Sequence, residues 1–173
     1  MGIFKASKMG NKLARECAQL TKQIVNHLIL KKYELKTHDT LYIFQESFTF
    51  LTIIVMPKSN NAKQHGNVIY VALDVLSDWL PNTLYKELGG NNTSEINKVL
   101  VDLPSNYFEK WIRELFIDNP QLKGGTNSQE FIAANDKYIH NVDNYIKDKF
   151  DKSPNDFLEF LSSITEQSVN ILV

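Results

Sequence analysis

TLYIFQESFTFLTIIVM, residues 40–56, is the stretch on which the fold class turns. Thr40–Glu46 and Phe48–Met56 are rich in β-branched and aromatic residues and contain no Gly or Pro before Pro57, which favours strands. On a period of two, Phe48, Phe50, Thr52, Ile54 and Met56 face one way and Leu51, Ile53 and Val55 the other. Both faces are apolar, so the pattern predicts a strand covered on both sides. A polar stretch, PKSNNAKQHG (57–66), follows, and then a third strand-like run, Asn67–Leu73. Connections this short cannot join parallel neighbours, so the three runs predict an antiparallel meander, with Tyr33–Lys36 as a further edge strand.

The flanking sequence reads as helix. Upstream, Leu13, Cys17, Leu20, Ile24 and Leu28 recur at spacings of three and four and form one apolar stripe over residues 8–31. Gly10 weakens its first turn, so the firm part is expected to begin near Asn11. Downstream come a short helix over Asp74–Leu80 ended by Pro81, a turn over Thr83–Leu88, and a helix over Ser94–Leu103 stopped at Pro104. Ser105 is positioned to cap the next, whose stripe is Phe108, Trp111, Ile112, Leu115 and Phe116. Ser128–Phe150 carries Phe131, Tyr138 and Tyr145 seven apart. Ser153 and Pro154 read as N-cap and first residue of a final helix burying Phe157, Leu158, Leu161 and Ile164. The expectation is an α+β protein of one domain, 1–173. Residues 1–80 hold the amphipathic helix and the three-stranded antiparallel meander, and residues 81–173 an array of four to five helices.

Composition narrows the function classes. The chain has 173 residues, 43% apolar and 23% charged, which is ordinary for a globular protein. Its single cysteine, Cys17, excludes an internal disulfide and a multi-cysteine zinc site. No apolar run approaches the roughly 18 residues of a membrane span. The basic start is followed by Glu16, Gln19, Lys22 and Gln23 where a leader peptide would be apolar, so cytoplasmic residence is expected. The net charge of −1 conceals a division: residues 1–86 hold 11 Lys/Arg against 6 Asp/Glu, and residues 87–173 hold 8 against 14.

Catalytic chemistry finds little support in the residues. Cys17 lies on the apolar stripe, where a thiol packs as a small hydrophobe. Asp136, His140 and Asp143 are spaced to share one helix face and are the candidate metal ligands for a metal-dependent hydrolase, although a charge-balanced surface gives the same spacing. Glu34-Leu35-Lys36 matches the E-x-K element of a nuclease class but lacks an acid on a preceding strand. GGNNTSEI (89–96) and GGTNSQEFI (124–132) resemble each other, and read as helix C-caps followed by N-caps rather than as phosphate loops or a repeat. No cofactor is implied.

What stands out is the basic segment with Lys5, Lys8, Lys12, Arg15, Lys22, Lys31 and Lys32. The reading is a non-enzymatic cytosolic interaction protein: an adaptor, a secretion-type chaperone or an immunity-like inhibitor. Its candidate partner-binding residues are Lys8, Lys12, Arg15 and Lys22, together with Trp111, Tyr138 and Tyr145 if those rings are exposed; buried, they are core. Nucleic-acid binding through residues 5–36 is the alternative.

Overall fold

The computed structural model describes residues 3–58, 61–84, 93–122 and 127–173. It is helical, with no strand among the described residues, so the meander and the α+β class are corrected to all-α. Helix α1 runs Ile3–Leu30, α2 Thr37–Val55 and α3 Ala62–Trp79. Then come α4, Thr93–Asp102; α5, Phe108–Asp118; α6, Asn127–Phe150; and α7, Phe157–Leu172. Wide π-type turns at Leu80–Leu84 and Leu103–Tyr107 absorb Pro81 and Pro104.

The correction centres on α2. Both predicted strands of residues 40–56 lie in this helix, apart from Met56 in the short 3-10 turn that follows. Fifteen of its 19 residues are buried, because α1, α4, α6 and α7 surround it. A helix buried on nearly every side has no solvent face to mark its period, so a helical and an extended reading of its sequence look alike. Each Ile, Val, Thr or Phe in a helix costs at most about 0.7 kcal/mol in propensity. Burying such an apolar side chain returns roughly 1.5–3 kcal/mol, so packing decides. The hydroxyls of Thr21 and Ser47 donate to the carbonyls of Cys17 and Ile43, each at 2.8 Å, which lets polar side chains enter this interior.

Helix α1 docks as its stripe requires: Leu13, Cys17, Leu20, Ile24 and Leu28 are fully buried. It begins at Ile3, ahead of the expected start near Asn11. Gly10 does not fray the helix; it lets α3 approach, for a Cβ there would lie 2.6 Å from Val71 Cβ and 2.9 Å from the Val68 carbonyl oxygen. Lys32, at φ 66°, closes α1 with hydrogen bonds from Lys32 N–H to Ile29 O (2.9 Å) and Tyr33 N–H to Leu28 O (3.0 Å). Residues 33–36 are the connection to α2, not an edge strand.

Asn67–Leu73 and Asp74–Leu80, read as a strand and a separate short helix, both belong to α3 and its end. The later helices lie close to where the periodicity put them, with shifted starts. Helix α5 has Tyr107 rather than Ser105 at its N-cap position. Helix α7 begins after Asp156, with Ser153 and Pro154 in the preceding turn, and leaves Leu158 exposed.

Candidate functional site

A helix with so little solvent face holds most of its charged and strongly polar side chains through partners inside the protein. On α2 Asp39, Tyr42 and Glu46 lie at i, i+3 and i+7, one stripe, and that stripe faces α6. The partners run in antiparallel order. Lys149 and Tyr145 meet Asp39, Tyr145 and Asn141 meet Tyr42, Asn141 meets Glu46, and Tyr138 meets Ser47.

At one end of the stripe the Asp39 carboxylate accepts from the Tyr145 hydroxyl (2.6 Å), the Lys149 ammonium (2.8 Å) and the Lys36 backbone N–H (2.7 Å). Burial pushes its pKa up, but these donors and nearby His38 outweigh burial and hold it below its ordinary value. The Tyr42 ring stacks on Tyr145 at 4.0 Å, and its hydroxyl donates to the Asn141 carbonyl at 3.3 Å.

Glu46 occupies the other end and is 2% exposed. Its Oε2 accepts from the Trp111 indole N–H at 2.9 Å and the Asn141 amide at 3.1 Å, and its Oε1 accepts from the Tyr107 hydroxyl. Among the described residues no cation forms an ion pair with it. Lys137, whose positive charge reaches Glu46 at longer range, instead pairs with Glu114 at 3.0 Å and lies 5.2 Å over the Trp111 ring. Burial pushes the Glu46 pKa above its ordinary value despite the three hydrogen bonds and Lys137. Burial, with Glu46 beside them, also raises the hydroxyl pKa values of Tyr42 and Tyr107. A cavity of about 190 Å³ adjoins the carboxylate, lined also by Tyr42, Tyr107, Lys110, Trp111, Glu114 and Asn141.

The aromatic candidates therefore turn inward. Trp111 and Tyr138 are buried, and Tyr145 is half-buried against Asp39 and Tyr42. The basic candidates stay on the outside of α1, with Lys8 and Arg15 exposed and Lys12 and Lys22 partly so. Arg15 and Lys22 line an open groove of about 490 Å³ between α1 and α3, with Asn11 and Gln19 beside them and Ala14, Ala18, Val75, Leu76 and Trp79 as its apolar lining. Burial raises the Glu16 pKa above its ordinary value, although a hydrogen bond with Ser168 and the charges of Lys12 and Arg15 pull it down. Lys31, Lys32 and Lys36 lie elsewhere, beside Lys149 and Lys152 around Tyr33 and Phe150. There the two halves of the chain meet, in Lys31–Asp156 (3.8 Å) and, with the charges reversed, in Lys149–Asp39 (2.8 Å).

The metal-ligand candidates do not converge. His140 directs Nδ1 at the Asp136 backbone carbonyl (2.7 Å), while Asp143 is buried and paired with Lys147 at 2.7 Å. No group of three or more His, Cys, Asp or Glu side chains among the described residues is arranged to hold a metal ion. Cys17 is fully buried, and burial raises its thiol pKa, the reverse of an activated nucleophile. Glu34 and Lys36 are exposed in the α1–α2 connection, and the two glycine pairs lie outside the described residues. Among the described residues no helix is long and apolar enough to cross a membrane. No protein-family model matches the chain, and neither the curated proteins nor the solved structures yield a significant match.

Proposed function

We propose that this chain is a non-enzymatic cytosolic interaction protein that receives an acidic segment of a partner protein, one with an apolar face, in the groove between α1 and α3. The observation that carries the reading is the composition of that groove: an open hollow of about 490 Å³ joining apolar Val75 and Trp79 to the charges of Arg15 and Lys22. Apolar contact supplies most of the energy in such recognition, while charge selects the partner and speeds encounter. Lys8 and Lys12 extend the positive potential along the same helix. The buried, unactivated Cys17 and the separated Asp136, His140 and Asp143 add weight against nucleophilic or metal-assisted hydrolysis.

Capture from a host lysate, quantified by mass spectrometry, tests the reading when wild type is run beside an Arg15→Glu/Val75→Asp variant and a Lys152→Glu control outside the groove. The expected result is a protein with an acidic segment that the wild type and control retain at moderate salt, that the groove variant loses, and that cross-links to α1 and α3. Equal capture by all three chains refutes the groove. Capture of nucleic acid that falls steeply with salt replaces the reading with the nucleic-acid alternative.

A further inference from the structure

The walls of the α1–α3 groove constrain the form in which another chain enters it. Both are helices, Ile3–Leu30 and Ala62–Trp79, whose backbone groups bond within themselves. A segment entering in extended form needs outside partners for its own N–H and C=O groups once water is displaced. A sheet edge is the usual source of such partners, and there is no strand among the described residues. Of the polar side chains lining the groove, only Asn11 and Gln19 accept hydrogen bonds; Arg15, Lys22 and Trp79 only donate. Two amides cannot serve an extended chain along the whole groove. A helix brings its backbone bonds with it.

We infer, resting on the reading of this groove as the binding surface, that the partner's segment docks as an amphipathic α-helix of about three turns. Its apolar face lies over Ala14, Ala18, Val75 and Trp79, and its acids run along Lys8, Lys12 and Arg15. From Asn11 to Lys22 the wall is about 16 Å long at 1.5 Å of rise per residue, which sets the three turns. A helix of that length and about 10 Å across fills roughly 1,300 Å³. The hollow of about 490 Å³ therefore takes its apolar face and leaves the remainder in water. Ala14 and Ala18, one turn apart, keep the α1 wall low, and side-chain size at the contact sets how closely two helices approach. The charges have helical spacing too. Lys8, Lys12, Arg15, Gln19 and Lys22 recur at four, three, four and three, one stripe beside the groove. A helix whose acids recur at the same spacing keeps register with it, as charges flanking a coiled-coil seam do. Lys8, Lys12 and Arg15 form no ion pair among the described residues, although the last two lie within reach of the charge of buried Glu16. Asp74 and Asp78, the acids of α3, do not line the groove, and Asp78 accepts from the Asn82 amide at 3.0 Å.

Trp79 lines the groove and Trp111 is buried against Glu46, so their indole N–H resonances give a reporter and a reference in one spectrum. The probe is a synthetic peptide of about 14 residues, with Leu at i, i+4, i+7 and i+11, Glu on both flanks and a staple on its outer face to hold it helical. Titrated into the full chain, it should move the Trp79 resonance saturably and leave Trp111 in place. The same peptide unstapled and with proline at its centre should bind about tenfold more weakly or worse. Lysine in place of every glutamate should cost a similar factor. Ala18→Leu keeps every charge but fills the groove, and should weaken the stapled peptide by about tenfold or more; it is the second variant if Arg15→Glu/Val75→Asp does not fold. Equal binding of the stapled and proline peptides, both lost in Arg15→Glu/Val75→Asp, overturns the helix and leaves the groove reading standing. A Trp79 resonance unmoved by every peptide at about 1 mM, the weak end of specific affinity, overturns both. Equal movement of the two indoles, or undiminished binding by the lysine peptide, overturns the inference. So does a Trp79 resonance that shifts on diluting the chain alone, which assigns the groove to a second copy.

Discussion

Replacing Glu46 two ways separates the need for its shape from the need for its charge. Glu46→Ala removes the acceptor of the Trp111 N–H, the Tyr107 hydroxyl and the Asn141 amide together. A buried donor left without a partner costs about 1–3 kcal/mol. The adjoining cavity of about 190 Å³ admits water that can re-satisfy some of them. The low end for each donor then gives a loss of about 3 kcal/mol in all, or about 6–12 °C in Tm for a chain this long. Glu46→Gln behaves differently. Its oxygen keeps Trp111 and Asn141, and its amide donates to the Tyr107 hydroxyl, which accepts as readily as it donates. Its stability at pH 7 should stay within about 1 kcal/mol of wild type.

The pH dependence carries the sharper test. Burial raises the folded-state pKa of Glu46 above its ordinary 4.5, so between those values the folded chain holds a proton that the unfolded chain has released. Below pH 4.5 the stabilising contribution of the protonated acid is fully present. As pH rises through the folded pKa it is lost, at up to about 1.4 kcal/mol per pH unit inside the window. Glu46→Gln cannot titrate, so wild type should lose stability relative to it on going from pH 4.5 to 8. Urea unfolding of wild type and both variants at half-unit pH steps measures this directly. A wild-type-minus-Gln difference that stays flat across the range, or a Gln variant as damaged as the Ala variant, refutes the account of Glu46 as a buried acid held by neutral donors.

Other consequences are simpler to measure. Gly10→Ala should destabilise by about 1–2 kcal/mol in chemical denaturation: overpacking costs roughly 1–3 kcal/mol and improved helix propensity returns up to about 1. Val71→Ala should relieve it only partly, because the closest contact is Val71 Cβ itself. Gly66→Ala, where an added Cβ meets nothing within 4 Å, should instead stabilise by about 0.5–1 kcal/mol. Asp39→Asn has the opposite pH signature to Glu46, because the folded pKa of Asp39 is depressed. A loss of about 2 kcal/mol should be present above pH 3.8 and vanish as pH falls through the folded value, as followed by acid titration of the melting temperature. The Thr49 and Thr52 hydroxyls are buried and lack a partner among the described residues, so Thr49→Val and Thr52→Val should each raise stability by up to about 1 kcal/mol by calorimetry.

The amphipathic helices are legible because each has a solvent face that imposes a period. Leu13 through Leu28 announce α1 in this way, and Trp111 and Leu115 announce α5. Helix α2 erases its own signal: with 15 buried residues it has no wet side to mark the turn of the helix. The misreading also hid the site. On a period of two Asp39 falls on the face opposite Tyr42 and Glu46, whereas on 3.6 the three coincide. One clue was available without the fold, namely an acid at 46 inside a run as apolar as YIFQESFTFL, since a charge so enclosed requires partners. The identity of those partners was not legible, because Trp111 and Asn141 are 65 and 95 residues away in the chain.

The position of Glu46 follows from the way the helices are connected. Helix α6 satisfies the stripe of α2 along its length, with Lys149, Tyr145 and Asn141 in turn, but at Glu46 it supplies one amide to a group with two oxygens. The remaining donors come from another direction. The π-type turn Leu103–Tyr107 ends in Tyr107, and Trp111 follows one helical turn later, so both reach the same carboxylate. All the donors at this end are neutral, whereas Asp39 seven residues earlier receives an ammonium. Two carboxylates on one stripe of one helix are thus held in opposite ways, one with its pKa driven down by a cation and the other with its pKa left high beside an open cavity.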